Sequence, residues 1–138
     1  MTDTDINTTK AKLHIALRSF GVKTNSSFPH ADLYIDCRGV PDPSHAVITA
    51  QEPGTGDMIA QRQWVKERVN LTLYTDLIAD HLRRLTTRRG VGLEYDKPFN
   101  ILTLCAHGIH RSRAMKWLLA ERLHQMGFQH VEVKGGGH

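Results

Sequence analysis

Phe99-Asn-Ile-Leu-Thr-Leu-Cys105, Ala106-His-Gly-Ile-His-Arg111 and Ser112-Arg-Ala-Met-Lys-Trp-Leu-Leu-Ala-Glu-Arg-Leu-His-Gln-Met126 form the continuous stretch that decides the fold. The first segment is apolar enough to be a central strand buried on both faces. The last places Met115, Leu118, Leu119, Leu123 and Met126 at helical spacing from about Ser112 to Met126, with Gly127 as its C-cap. A strand that feeds a helix through a short loop converges backbone N–H groups on one point, which the helix dipole makes favourable for an anion. The spacing therefore predicts both an α/β domain and a phosphate cradle.

Upstream, Lys12 to Phe20 alternates Leu13, Ile15 and Leu17 with more polar neighbours and reads as a strand ending at Gly21. Ala31 to Asp36 is a second buried strand, stopped by Cys37-Arg-Gly-Val-Pro-Asp-Pro43. Asp57 can cap a helix running to about Arg68. A second helix, from about Asn70 to Thr87, puts Leu71, Tyr74, Ile78, Leu82 and Leu85 on one face. His130 to Lys134 makes a fourth short strand. The order is ββααβαβ, a small single α/β domain with a four-stranded mixed or mostly parallel sheet flanked by about three helices. Residues 1–11, rich in Thr, Asp and Asn, are expected as a disordered lead-in, 12–134 as the domain, and 135–138 as a frayed end.

With 138 residues, 40% hydrophobic and 23% charged, the chain suits one core and excludes collagen, long coiled coil and bulk disorder. No apolar run approaches the roughly 20 residues of a spanning helix, and the start lacks a secretion signal, so a soluble cytoplasmic protein without membrane partners is expected. Two cysteines, Cys37 and Cys105, are far apart in sequence and are expected as reduced thiols. Placed at neighbouring strand ends, they are also the pair for a regulatory disulfide. A net charge of +4, with nine histidines besides, favours phosphate-bearing partners, small molecules or nucleic acid. Arg83, Arg84, Arg88 and Arg89 near the end of the second helix suit its dipole and a solvated surface, and are the candidates for an RNA contact.

Within the cradle, Gly108 lets the backbone approach a ligand, Arg111 offers a planar fork for phosphate oxygens, and Ser112 can cap the helix or donate to the same oxygens. His107 and His110 are further donors to an oxyanion, with packing at the helix start as the plainer role of His110. A metal site of the Cys-x-His-x2-His type is set aside because no second ligand cluster accompanies it, and no cofactor is expected. The Cys-x5-Arg-Ser spacing also resembles the loop of cysteine-dependent tyrosine phosphatases. On that alternative Cys105 attacks a phosphomonoester, Arg111 orients it, Ser112 helps release the thiolate, and Asp42 or Asp36 protonates the leaving oxygen. The plainer reading of Cys105 is an inert small residue at a buried strand end.

From about Lys12 to Lys134 the chain resembles the C-terminal domain of the RapZ (YvcJ) family of RNase adapter proteins. Ser19-Phe-Gly-Val-Lys23 is similar to the family's Ser-Phe-Gly-Phe-Lys, and Ala31-Asp-Leu33 to its Ala-Asp-Leu. Asp36-Cys-Arg-Gly-Val-Pro-Asp-Pro43 stands where the family has Asp-Val-Arg-Phe-Leu-Pro-Asn-Pro, and Thr55-Gly56 where it has a Leu-Thr-Gly turn. Cys105-Ala-His-Gly-Ile-His-Arg-Ser112 parallels Cys-Thr-Gly-Gly-Lys-His-Arg-Ser. The resemblance implies a phosphorylated ligand, an amino-sugar phosphate in the family's namesake, with RNA and a ribonuclease as larger partners and a homo-oligomer as the assembly. Gly108, His110, Arg111 and Ser112 would keep the anion site, Asp36, Arg38 and Asp42 the facing loop, and Lys23 a positive charge beside the first strand. The family's Walker-type nucleotide-binding domain has no counterpart here, so no ATPase or kinase activity is implied.

Overall fold

The computed structural model describes residues 3–23, 27, 29–41, 59–87, 93–107 and 109–135. Strand β3 (Phe99–Cys105) is buried at every position but Asn100, because it lies between two neighbours. On one side runs β1 (His14–Gly21), in register Ile15 with Phe99 through Gly21 with Cys105; on the other runs β2 (Leu33–Asp36), Leu33 opposite Ile101. The edge strand β4 (His130–Val133) pairs with β1. The order is β2-β3-β1-β4 and all three pairings are parallel. The strands therefore all end on the same side of the sheet, where the connecting loops gather.

Among the described residues four helices accompany the sheet: α1 (Asp3–Lys12), α2 (Ile59–Lys66), α3 (Leu71–Thr87) and α4 (Arg111–Gln125). The odd-numbered side chains of the central strands, among them Ile15, Leu17, Phe99 and Ile101, meet Met115, Leu119 and Leu123 of α4, Ile78 and Leu82 of α3, and Val65 of α2. These are the stripes that helical spacing predicts on α3 and α4. The opposite sheet face holds a smaller cluster of Phe20, Leu102 and Leu104 with Ala31. Among the described residues no helix is long and apolar enough to cross a membrane.

The expectation of a disordered lead-in over 1–11 is corrected for residues 3–11, while 1–2 lie outside the described residues. Asp3–Lys12 is helical, with Ile6 and Thr9 buried against the body of the domain. Its sequence carries almost no apolar stripe, and what holds it is tertiary. The Lys10 carbonyl accepts from the Gln129 N–H at 2.9 Å, the Lys10 ammonium lies over the Phe128 ring, and the Thr9 hydroxyl meets that of Tyr95 at 3.3 Å. At the far end of α4, Gly127 takes φ +104°, the left-handed turn that glycine enters without strain. The Gly127 N–H donates to the His124 carbonyl at 3.0 Å and the Phe128 N–H to the Leu123 carbonyl at 3.1 Å, a Schellman closure in which Met126 is the C-cap and Gly127, expected as the cap, stands one residue beyond it.

Candidate functional site

The ends of β1, β2 and β3 are stitched together by main-chain hydrogen bonds just where the strands stop. Val22 N–H donates to the Cys105 carbonyl at 2.9 Å, Lys23 N–H to the Ala106 carbonyl at 2.8 Å, and Cys37 N–H to the Leu104 carbonyl at 2.6 Å. These bonds bring Lys23, Asp36, Arg38 and the 105–112 segment to one end of the sheet, although the sequence scatters them across three regions. Ligands of open parallel sheets bind outside the carboxyl ends of the strands for this reason.

Helix α4 opens at this end. Its N-cap is His110, whose side chain makes no capping bond, and its first turn carries no acidic residue but two arginines, Arg111 and Arg113. Cations at the positive end of a helix dipole oppose the usual preference by about 0.3–1 kcal/mol each. An anion at that point removes the penalty and meets the unsatisfied N–H groups of the first turn. Arg111 is anchored from the side: its Nη1 donates to the Arg38 carbonyl at 2.7 Å, its one hydrogen bond among the described residues, with Nε and Nη2 left for a ligand.

Asp36 and Arg38 form a forked pair. Arg38 Nε lies 2.9 Å from Oδ1 of Asp36 and Nη2 lies 2.6 Å from Oδ2, while Arg38 N–H also donates to Oδ1 at 3.0 Å. The side-chain hydrogen bonds from Arg38 hold the Asp36 carboxyl below its ordinary range, and the nearby Arg111 charge adds to the effect. Both side chains are about half exposed, so the pair arranges the mouth more than it stabilises the domain.

Beneath the mouth lie the thiols. Cys37 and Cys105 are both free and buried, and Cys105 Sγ is 3.1 Å from the Ser112 hydroxyl. Ser112 is fully buried, and its carbonyl accepts from the Thr103 hydroxyl at 2.8 Å. Its hydroxyl thus faces Cys105 in the core, where sequence reasoning placed it as a cap or a ligand donor. Burial pushes the Cys37 thiol well above its ordinary range, with the Cys105 and Asp36 charges adding to the shift. For the phosphatase alternative, the cysteine and serine are adjacent as that chemistry requires, but the sulfur is sealed in and Asp36 is held as a carboxylate, not as a proton donor.

His107 is exposed and His110 half-buried at the entrance to α4. Asp42, Gly108, Arg88 and Arg89 lie outside the described residues. Arg83 and Arg84 are exposed at the C-terminal end of α3, with Arg84 paired to Asp80 at 3.0 Å. That end of α3 is the one where Leu85 shares a cavity of about 290 Å³ with Leu13 and Phe99, at the start of the strands. Arg83 and Arg84 and the start of α4 therefore lie at opposite ends of the sheet. Lys116 escaped notice in the sequence: its buried ammonium donates to the Lys134 carbonyl at 3.2 Å and the Ser19 hydroxyl at 3.4 Å. Its place on the 112–116–119–123 stripe of α4 was the available signal.

The model of the RapZ C-terminal domain family matches residues 13–135. Among curated proteins, a nucleotide-binding protein of Anaeromyxobacter sp. (strain K) is 34% identical over 118 residues, covering 85% of this chain and 38% of that protein. Nucleotide-binding proteins of Anaeromyxobacter dehalogenans strains 2CP-1 and 2CP-C match to the same extent. The chain thus spans little more than a third of the length of these relatives.

Proposed function

The chain belongs to the RapZ C-terminal domain family, and on that premise we propose that it is a binding domain for a phosphorylated ligand held at the C-terminal ends of β1, β2 and β3. The observation that carries this reading is the cationic start of α4. Arg111 and Arg113 sit where the helix dipole disfavours them, and Arg111 is braced on the Arg38 carbonyl with donors to spare. A phosphate monoester fits that geometry, with one pair of oxygens on the Arg111 fork and the others on first-turn N–H groups. The relatives' name points to a nucleotide or another phosphate-bearing molecule of that class.

Lys23 supplies long-range positive potential, and His107 and His110 frame the mouth. Asp36 and Arg38 form its facing wall, and Asp42 and Gly108 complete the set that the family pattern assigns. RNA is the larger partner, contacted through the separate arginine group that includes Arg83 and Arg84, and a ribonuclease is the protein to which it is presented. The buried free thiols suit a reducing cytoplasm.

The test is calorimetric titration with sugar phosphates, nucleotides and inorganic phosphate, beside thermal melts. A ligand that binds the native state alone raises the melting temperature, and Arg111→Ala loses about tenfold or more in affinity, the worth of a charged hydrogen-bond pair. Equal affinity of Arg111→Ala and the parent for every phosphate that binds would overturn the reading, as would the absence of any binding.

A further inference from the structure

The β2–β3 ladder runs from Leu33 opposite Ile101 to Asp36 opposite Leu104, and its pairing continues one residue further. The Cys37 N–H donates to the Leu104 carbonyl at 2.6 Å, the bond that a residue of a parallel pair makes to the neighbour preceding its partner. Cys37 therefore stands opposite Cys105, one step beyond the end of β2. Facing residues of neighbouring strands lie about 4.8 Å apart and send their side chains to the same side of the sheet, within the Cα spacing that a disulfide spans. Both side chains belong to the core cluster on the helix side of the sheet. Both are free thiols with contacts of their own: the Cys37 thiol donates to the Ile35 carbonyl at 3.6 Å, and Cys105 Sγ lies 3.1 Å from the Ser112 hydroxyl.

We propose that Cys37 and Cys105 close reversibly into a disulfide that loosens the anion site above them. Each cysteine is tied to one half of that site. Cys37 opens a turn, closed by the Val40 N–H on the Cys37 carbonyl at 3.1 Å, and this turn carries the Arg38 carbonyl that braces Arg111. Cys105 touches Ser112, the residue after Arg111. Facing Cβ atoms of a parallel pair stand at about the strand spacing, wider than the roughly 3.5–4.5 Å of a disulfide, so one side has to move. Cys105 is fixed in β3 opposite Gly21, whereas Cys37 lies past the end of β2. The turn yields, and the Arg38 carbonyl moves with it. Bonds strained in this way are the readily reduced, regulatory ones. The oxidant is a low-molecular-weight disulfide such as oxidised glutathione. One cysteine thiolate attacks a glutathione sulfur and releases a glutathione thiolate; the second cysteine thiolate attacks the mixed disulfide and releases the other. The two cysteine protons pass to the released thiolates, so two protein thiols become one S–S bond and one small disulfide becomes two thiols. Because both sulfurs are buried, the exchange proceeds at the rate at which this end of the sheet opens.

The full chain, incubated natively with oxidised glutathione, is followed by peptide mass spectrometry, amide NMR and calorimetry with inorganic phosphate. The expected product carries a Cys37–Cys105 cross-link within one chain, and its largest amide shifts fall on Arg38 to Val40 and Arg111 to Arg113. Its affinity for phosphate is about fivefold lower or less still, and reductant restores it. Cys37→Val forms no such cross-link, and in reductant it binds phosphate as the parent does. The effect on phosphate rests on the function proposed above, whereas the bond and the amide shifts do not. A reduced protein that binds no phosphate overturns that function alone, and the NMR then decides this proposal. A pair that stays reduced at every glutathione ratio overturns it, as do lasting glutathione adducts or linked pairs of chains without the Cys37–Cys105 peptide. So does a cross-link that leaves the Arg111 amide unshifted, or one that leaves phosphate affinity unchanged in a protein that binds it.

Discussion

Arg111 Nη1 and the main-chain carbonyl of Arg38 are 2.7 Å apart, so the first side chain of α4 is fixed by a loop 73 residues earlier in the chain. The acceptor is backbone, and the Arg38 side chain is engaged with Asp36. Removing the Arg38 side chain therefore leaves the anchor of Arg111 in place. Arg38→Ala is expected to keep most of the affinity for a phosphate ligand, whereas Arg111→Lys, which has no planar fork, loses most of it. Parallel calorimetric titrations of the two variants check this.

Small-ligand binding and RNA binding should separate cleanly, because Arg83 and Arg84 lie at the other end of the sheet from Arg111. Replacing both by alanine is expected to weaken RNA binding and to flatten its dependence on salt, by about one unit of slope for each phosphate that is no longer neutralised. Phosphate affinity stays unchanged. Fluorescence anisotropy with labelled RNA at several salt concentrations, beside calorimetry with the small ligand, measures both.

Cys37 and Cys105 are 0% and 3% exposed, and burial holds the Cys37 thiol protonated. Thiols of this kind react with disulfide reagents at the rate at which the structure opens. The native protein should show almost no rapid thiol reaction with a chromogenic disulfide, and both cysteines should appear in denaturant. Rapid titration of one thiol in the native state would revive the reactive-cysteine alternative for Cys105.

Asp36 has a folded-state pKa below its unfolded value, chiefly through the side-chain hydrogen bonds of Arg38. Such a carboxylate stabilises the fold above the unfolded value of about 3.9, and the contribution is lost as pH falls through the folded value. Asp36→Asn should therefore be slightly less stable than the parent at neutral pH, with the difference shrinking toward zero as pH drops from about 4. The half-exposed setting keeps the effect small. Urea denaturation of both proteins across that range reports it.

Gly127 sits at φ +104°, where a side chain strains the backbone, although the space beside it is open: an added Cβ would meet only Cδ of Lys10 at 3.6 Å, an ordinary van der Waals contact. Gly127→Ala should cost about 1–2 kcal/mol through backbone strain alone. A lowered urea midpoint with an unchanged slope is the expected signature.

The strand–loop–helix unit and the stripes on α3 and α4 were written in the sequence, because hydrophobic period and turn residues are local properties, whereas the choice between a mixed and a wholly parallel sheet was made only by strand pairing. Phe99–Cys105 was legible to the residue, and Gly127 announced its own turn. Helix α1 was not: Thr9 and Lys10 are held by Tyr95, Phe128 and Gln129, all distant in the chain, and no local pattern encodes such partners. The same holds within the site. Residue types named Arg111, Asp36 and Arg38 as candidates, but parallel registry of β2, β3 and β1 set them at one end of the sheet, turned Ser112 inward to Cys105 and left Arg83 and Arg84 at the other. Chemistry is carried by single residues and can be read one at a time; proximity is created only when strands align, and that alignment is a property of the packed whole.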